Sequence, residues 1–445
     1  MSTAAKRVLD KVEAAREEIL DFVACLVRFK SINALMTSDH KPLEERACQE
    51  FMAEKLRDLG MTVDLWEHDP KDLEKYGGRY LRRESYKDRP CLVGVLKGRG
   101  GGRSLILSGH ADVVPADPED LWTHNPWHPT ILDGKMYGRG TADMKAGLGS
   151  MIWAVECIQR ADIDLLGDVQ IHSTIDEEFG NTGALCVVDR GYRANGCIVT
   201  EPTDLSIQPK HKGILWLRID VRGRSGHAQI PQQHWTRGGA VSAIDKAIYV
   251  KEGLERLNDE WCGRRGSPPR PDKVDPDGLL SVPHINVDVI GGGTEPHIVP
   301  ATCYLRADIQ YLPHEADEEK LGSHIRRELE GYLNNIFKAD GWLSKNPPRV
   351  AWEIEADPSA VDVHHPLVTT VVRSVQEAGQ AGRLSGIVPY CDMGRYVNLA
   401  NIPTIIYGPG RLEQAHSTDE FVDVNQIIDA AKGLATAILN WCGHR

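Results

Sequence analysis

The stretch Ser104-Leu105-Ile106-Leu107-Ser108-Gly109-His110-Ala111-Asp112 decides the fold. Its apolar run, Ser104–Ser108, predicts a strand, and a histidine and an aspartate follow where that strand ends. In extended chain, residues i and i+2 point to the same side. Asp112 is therefore placed to support His110 while its imidazole binds a metal. Taken alone, the pattern is a weak signal, and a hydrogen-bonded surface or buried histidine is its commoner reading.

Working outward, elements alternate. Upstream, the spacing predicts an amphipathic helix across Val8–Val27, a helix over Glu44–Leu59 stopped by Gly60, and strands Met61–Trp66 and Cys91–Lys97. The turn Gly98–Gly102 lacks a G-K-[ST] ending, so it reads as a hairpin tip joining Cys91–Lys97 to Ser104–Ser108 and not as a phosphate loop. Downstream come a helix Met144–Gln159, strand Val169–Thr174, helix Thr182–Asp189 and strand Cys197–Val199. This is an α/β pattern.

The pattern then changes. Strand Gly213–Val221, helix Gly239–Leu257, strands Ile285–Ile290 and Ala301–Tyr311, helix Glu318–Phe337 and strand Arg349–Glu355 follow in the order of a ferredoxin-like sandwich. Pro268–Asp277 reads as a solvent-facing loop. An inserted α+β domain is expected at 212–357, within a first domain of 1–211 and 358–445 that resumes with helix Pro366–Ala378, strand Thr404–Tyr407 and helix Val424–Trp441.

The chain has 445 residues, 41% of them hydrophobic, and a formal charge of −12 with the signs mixed. That is enough for a large core. Nucleic acid and membrane are not expected partners, since no block of like charge and no bilayer-length apolar run occurs. The N-terminus has no apolar signal-peptide core. The ten cysteines are irregularly spaced without a C-x-x-C pair, which suits reduced thiols in a cytoplasmic protein.

Four further motifs stand at predicted strand ends or loops. Gly138-Arg139-Gly140-Thr141-Ala142-Asp143-Met144-Lys145 puts a carboxylate at a Gly-rich bend, suited to bridging two cations or to capping a helix. Asp176-Glu177-Glu178 places three acids together, which repel unless cations or solvent screen them; a solvated loop is the alternative. Glu201 ends an apolar strand in Thr200-Glu201-Pro202-Thr203. His416 lies in Ala415-His416-Ser417-Thr418-Asp419-Glu420. Together with His110 these supply two histidines and three carboxylates, with one more carboxylate left for acid–base work. Such ligands suit zinc, cobalt or manganese, and a shared carboxylate suits a two-metal site.

In this set and order, the motifs resemble the M20 family of metallopeptidases and deacylases, the group of acetylornithine deacetylase and succinyl-diaminopimelate desuccinylase. The resemblance covers nearly the whole chain. It implies a zinc-peptidase-like catalytic domain, with a mixed central sheet flanked by helices, and an inserted lid and dimerisation domain. It implies that His110, Asp143 and Glu201 hold one divalent ion and Asp143, Glu178 and His416 the other, zinc foremost. Asp112 would orient His110, Glu177 would be the general base, and Asp143–Met144 would be a cis peptide. Ser225-Gly226-His227-Ala228 resembles the lid histidine motif, whose histidine serves the oxyanion in the partner's site of a homodimer. Asn286 matches a lid asparagine that contacts substrate.

Two positions depart from the family. His297 stands where an asparagine is common, and Gln310 where many members carry an arginine for a substrate carboxylate. A neutral amide does not replace the bidentate grip of a guanidinium. Arg306 and Arg395 are the candidates to substitute. The segment Gln229–Trp235, with Gln232, Gln233 and His234, reads either as a pocket wall or as surface cover. The expected reaction is hydrolysis of an amide C–N bond in a small-molecule substrate, of N-acyl amino acid deacylase or dipeptidase type. A deaminase using the same site, on a small amine-bearing substrate, is the main alternative. A non-catalytic binding protein on this scaffold is the remote one.

Overall fold

The computed structural model describes residues 2–37, 43–80, 82–264, 267–386 and 389–445. Two compact units emerge. One comprises Met1–Lys210, Ala360–Ile387 and Cys391–Arg445, and the other His211–Ser359 and Val388–Tyr390.

The first unit is built on a six-stranded sheet in the order Thr62–Trp66, Cys91–Leu96, Val169–Thr174, Leu105–His110, Cys197–Val199, Thr404–Ile406. The last four strands run parallel and the first two pairings are antiparallel, so the sheet is mixed. Every residue of Leu105–His110 and Val169–Thr174 is buried, as parallel strands covered on both faces require. Helix Ala146–Arg160, buried nearly throughout, and helix Val424–Cys442 supply much of the cover. Small residues permit the close approach: a Cβ on Gly147 would lie 2.1 Å from the carbonyl oxygen of Thr200.

Two expectations fail here. The N-terminal segment forms two helices, Thr3–Ala14 and Arg16–Arg28, which meet at Ala15. The turn Gly98–Gly102 is not a hairpin tip, because Val169–Thr174 lies between the two strands it joins. The glycines serve a different contact. The N–H groups of Arg99 and Gly100 donate to the carbonyls of Leu165 and Leu166, and a Cβ on Gly98 would lie 2.5 Å from a backbone oxygen of that segment.

The second unit has a four-stranded antiparallel sheet in the order Ile285–Gly292, Thr302–Tyr311, Gly213–Arg222, Arg349–Ala356. That is the ferredoxin-like order, with helices Ala243–Cys262 and Ser323–Ala339 on one face. Alternation along Gly213–Arg222 explains the layering. Leu215, Leu217, Ile219 and Val221 pack under Val250, Leu254, Leu329 and Leu333, while their neighbours face away from the core.

Candidate active site

Three adjacent parallel strands bring most of the candidate residues together. His110 ends its strand, Glu177 and Glu178 follow Thr174, and Glu201 follows Val199. Strands ending in the same direction in an open α/β sheet converge on a crevice. Asp143 comes from the turn Thr141–Lys145 ahead of helix Ala146–Arg160, and His416 from the loop before Phe421–Asp423.

His110 Nε2 lies 3.0 Å from Asp143 Oδ1, 3.7 Å from Glu201 Oε1 and 3.9 Å from Glu177 Oε2. His416 Nε2 lies 2.9 Å from Glu178 Oε2 and 3.6 Å from Asp143 Oδ2. Two groups result, His110–Asp143–Glu201 and Asp143–Glu178–His416, each with one donor atom per residue within 4.8 Å of the others. Asp143 belongs to both.

The chemistry of this set fits divalent cations. His110 Nδ1 is 2.8 Å from the carbonyl oxygen of Asp112, which only accepts, so Nδ1 carries a proton. In neutral imidazole the Nε2 lone pair then faces the carboxylates of Asp143, Glu201 and Glu177, an arrangement only a proton or a cation relieves. Glu178 Oε1 and Glu201 Oε1 are buried without a hydrogen-bond partner, as open ligand atoms would be. Burial, with Glu201 beside it, raises Glu177 well above the carboxylate range, and burial with Asp143 nearby raises Glu178 to about 7. The bond to Glu178 raises His416 to about 9. Burial opposes the charged form of His110, but Glu201 and Asp143 outweigh it and hold the imidazole well above its usual value.

Asp112 meets His110 through its backbone carbonyl and not through its carboxylate. The strand ends at His110, so side-chain alternation does not extend to Asp112, and its carboxylate is 3.6 Å from Nδ1. That carboxylate accepts instead from Asn33 Nδ2 at 2.7 Å and from the N–H groups of Glu177 and Glu178 at 3.2 and 3.3 Å. It thereby links the histidine segment to the glutamate segment.

The three acids are not a solvated loop. Asp176 is fully buried, and the cations that screen it are arginines. Arg83 Nε and Thr182 Oγ1 each donate to it at 2.6 Å, and Arg89 bridges it to Glu45. Nor is Asp143 a helix cap: the helix begins at Ala146, and Asp143 has φ −122° and ψ 95°. The Asp143–Met144 peptide is cis, as is Asp117–Pro118, which no motif announced.

Four supporting residues escaped the sequence reading. Glu420 Oε1 accepts from the N–H groups of Ala142 and Asp143 at 2.8 and 3.1 Å, and its other oxygen accepts from Arg139. Glu420 and Arg139 both stand inside quoted motifs, and their opposite charges were the available signal. Asn181 and buried Asp392 had no local signal. Asp392 accepts from Thr174 Oγ1 at 2.8 Å, and burial raises it to about 6.

His227 and Asn286 lie in the second unit, both exposed. The carbonyl of His227 accepts from Gln232 Nε2 at 2.8 Å, and Asn286 Nδ2 donates to Asp288. Trp235 packs on the edge of Trp342, so this end of the Gln229–Trp235 segment covers the surface of its unit. His297 contributes its carbonyl, which accepts from the N–H of Ala228 at 2.9 Å. Gln310 Oε1 accepts from the buried Lys212 ammonium at 3.0 Å, while Arg306 is paired with Glu353 and Arg395 is buried with Nε donating to the carbonyl of Asn181.

The description Peptidase family M20/M25/M40 matches residues 106–440. The chain is 28% identical to an N-formyl-4-amino-5-aminomethyl-2-methylpyrimidine deformylase of Bacillus subtilis, over 98% of this chain and 97% of that one. It is 30% identical to an acetylornithine deacetylase of Proteus mirabilis, over 79% and 82%. Its fold matches a tripeptidase of Staphylococcus aureus at a TM-score of 0.70 with 19% identity, over 95% and 97%. With its sheet, its motifs and nearly all of its length accounted for, the chain belongs to peptidase family M20 and is a hydrolase of carbon–nitrogen bonds.

Proposed function

We propose that the chain removes a formyl or other short acyl group from the nitrogen of a small amine. The observation that carries the chemistry is the shared carboxylate of Asp143 between two ligand groups, with Glu177 beside them. His110, Asp143 and Glu201 would hold one divalent ion and Asp143, Glu178 and His416 the other, with zinc, cobalt and manganese all suited to the donors. Bound there, such ions would supply Lewis acidity, lowering the pKa of water and polarising the substrate carbonyl. Glu177 takes the proton from the attacking water and passes it to the leaving nitrogen. Asp112 keeps the His110 and Glu177 segments in register. His227 supplies a donor to the oxyanion and Asn286 a contact to substrate. The second unit, which contains the inserted domain expected at 212–357, serves as lid and dimerisation module, and its edge strand with Val289 and Ile290 exposed supports a homodimer. The ten free cysteines support a cytoplasmic setting.

The substrate class rests on two supports. The likeness to the deformylase runs the full length of both chains. The position that would grip a substrate carboxylate is a glutamine already bonded to Lys212. The test is product analysis with zinc, cobalt or manganese. Formate release from the N-formyl aminomethylpyrimidine is expected to exceed acetate release from N-acetylornithine. The reverse preference would overturn the substrate class, and ammonia without a released acid would mark a deaminase.

A further inference from the structure

The open face of the second unit's sheet carries a recess of about 560 Å³ that the proposed reaction does not use. Arg218, Asp220 and Arg222 alternate onto this face of their strand. Register places Tyr304 and Arg349 on either side of Asp220, and Thr302 beside Arg222. The run Gly291–Gly293 forms a side-chain-free border. A Cβ on Gly291 would lie 2.6 Å from the Tyr304 ring, so glycine there lets the ring lie against the strand.

The charges do not balance. Arg218 is used within the protein: it bonds Asp220 at 2.9 Å, and its guanidinium sits 4.3 Å from the Tyr304 ring centre. Farther along the same strands, Arg306 is paired with Glu353. Among the described residues, Arg222 and Arg349 make no ion pair or side-chain hydrogen bond, and neither does the Tyr304 hydroxyl. Three guanidinium groups thus face one carboxylate, a local excess of positive charge on a chain of net charge −12. Guanidinium forks match phosphate oxygens in pairs, and the volume suits a small molecule.

We propose that this recess binds a small phosphate-bearing molecule, its dianionic phosphate gripped by Arg222 and Arg349 and accepting from the Tyr304 hydroxyl. Phenyl phosphate is the probe, titrated calorimetrically into the metal-loaded protein at low salt and pH 8. One saturable site is expected. In the Arg222→Ala/Arg349→Ala double variant its affinity should fall about tenfold or more, and in Tyr304→Phe about threefold, as losses of charged and neutral hydrogen bonds predict. Both variants should keep the ligand-free unfolding midpoint, since the two guanidinium groups and the hydroxyl removed bond nothing among the described residues, and Tyr304→Phe keeps the ring that lies against Arg218. Absence of saturable binding would overturn the proposal. So would binding that the double variant leaves unchanged, which would place the phosphate at the metal-ligand cluster.

Discussion

The side-chain amide of Asn181 donates to Glu177 Oε1 at 2.9 Å, and the same nitrogen reaches Asp392 Oδ1 at 3.3 Å. Asn181 itself sits in left-handed conformation at φ +49°, just ahead of helix Thr182–Asp189. One amide therefore fixes the orientation of the proposed base against a buried acid. Asn181→Ala is expected to lower kcat about tenfold or more with KM little changed, because orientation of a reacting group is lost and not substrate binding. Steady-state kinetics would show it, and an effect confined to KM would contradict it.

Neighbouring glutamates should behave differently. Glu177→Gln is expected to lower kcat by about 10²–10⁴-fold with metal content intact. Glu178→Gln should instead lose metal, because Glu178 Oε2 bonds His416 and its other oxygen is buried without a partner. Metal analysis of the two purified variants separates the roles.

Metal affinity should rise with pH. In the metal-free site the bond to Glu178 raises His416 to about 9, and a protonated imidazole cannot ligate. Below that value a cation must displace the proton, so affinity falls as pH falls. Calorimetry at pH 8 in buffers of different ionisation enthalpy should reveal proton release on loading. A pH-independent affinity would contradict the assignment of His416.

Asp176 predicts an acid sensitivity that is structural. Burial works against its charge, but Arg89 and Arg83 outweigh it and hold the carboxyl below its usual range. A lowered folded-state pKa stabilises the fold above the ordinary aspartate value of about 4, and this is lost as pH falls through the lowered one. Asp176→Asn leaves two buried guanidinium groups short of a counter-charge and should cost about 3–5 kcal/mol near neutrality. Urea denaturation across pH should show the gap between wild type and variant closing at low pH.

Gln310→Arg should not restore a carboxylate grip. Lys212 is buried and donates to Ser281 Oγ, the Val282 carbonyl and Gln310 Oε1, each at 3.0 Å. Burial lowers it to about 8, and among the described residues no carboxylate is bonded to it. A guanidinium beside it would set two cations together. The expected outcome is a melting temperature lower by a few degrees, on the order of 1 kcal/mol or more. Gln310→Glu should reverse the sign by giving Lys212 a counter-charge.

These residues show what was legible in the sequence. Val169–Thr174 and Thr182–Asp189 were readable to the residue because local composition and burial agree there. The ligand candidates were readable because each stands beside a strand end or bend that the local pattern marks. The turn at Gly98–Gly102 was misread because turn chemistry cannot reveal that Val169–Thr174 inserts between the strands it joins. Asn181, Asp392, Arg83 and Lys212 were illegible for the same reason. Each meets partners that only folding brings near, whereas His110 and Glu177 stand in segments whose own pattern marks them as candidates.

The double membership of Asp143 has a thermodynamic consequence. Two ions that share a carboxylate cannot have independent affinities: the first to arrive spends negative charge that the second would have used, yet it also organises the second's ligands. Whichever effect is larger, the factor by which one occupancy changes the other must be the same in both directions. The Glu420 oxygen that accepts from the Asp143 N–H anchors this pivot. A change there would be felt at both positions at once, as an altered cooperativity of loading and not as the loss of one ion.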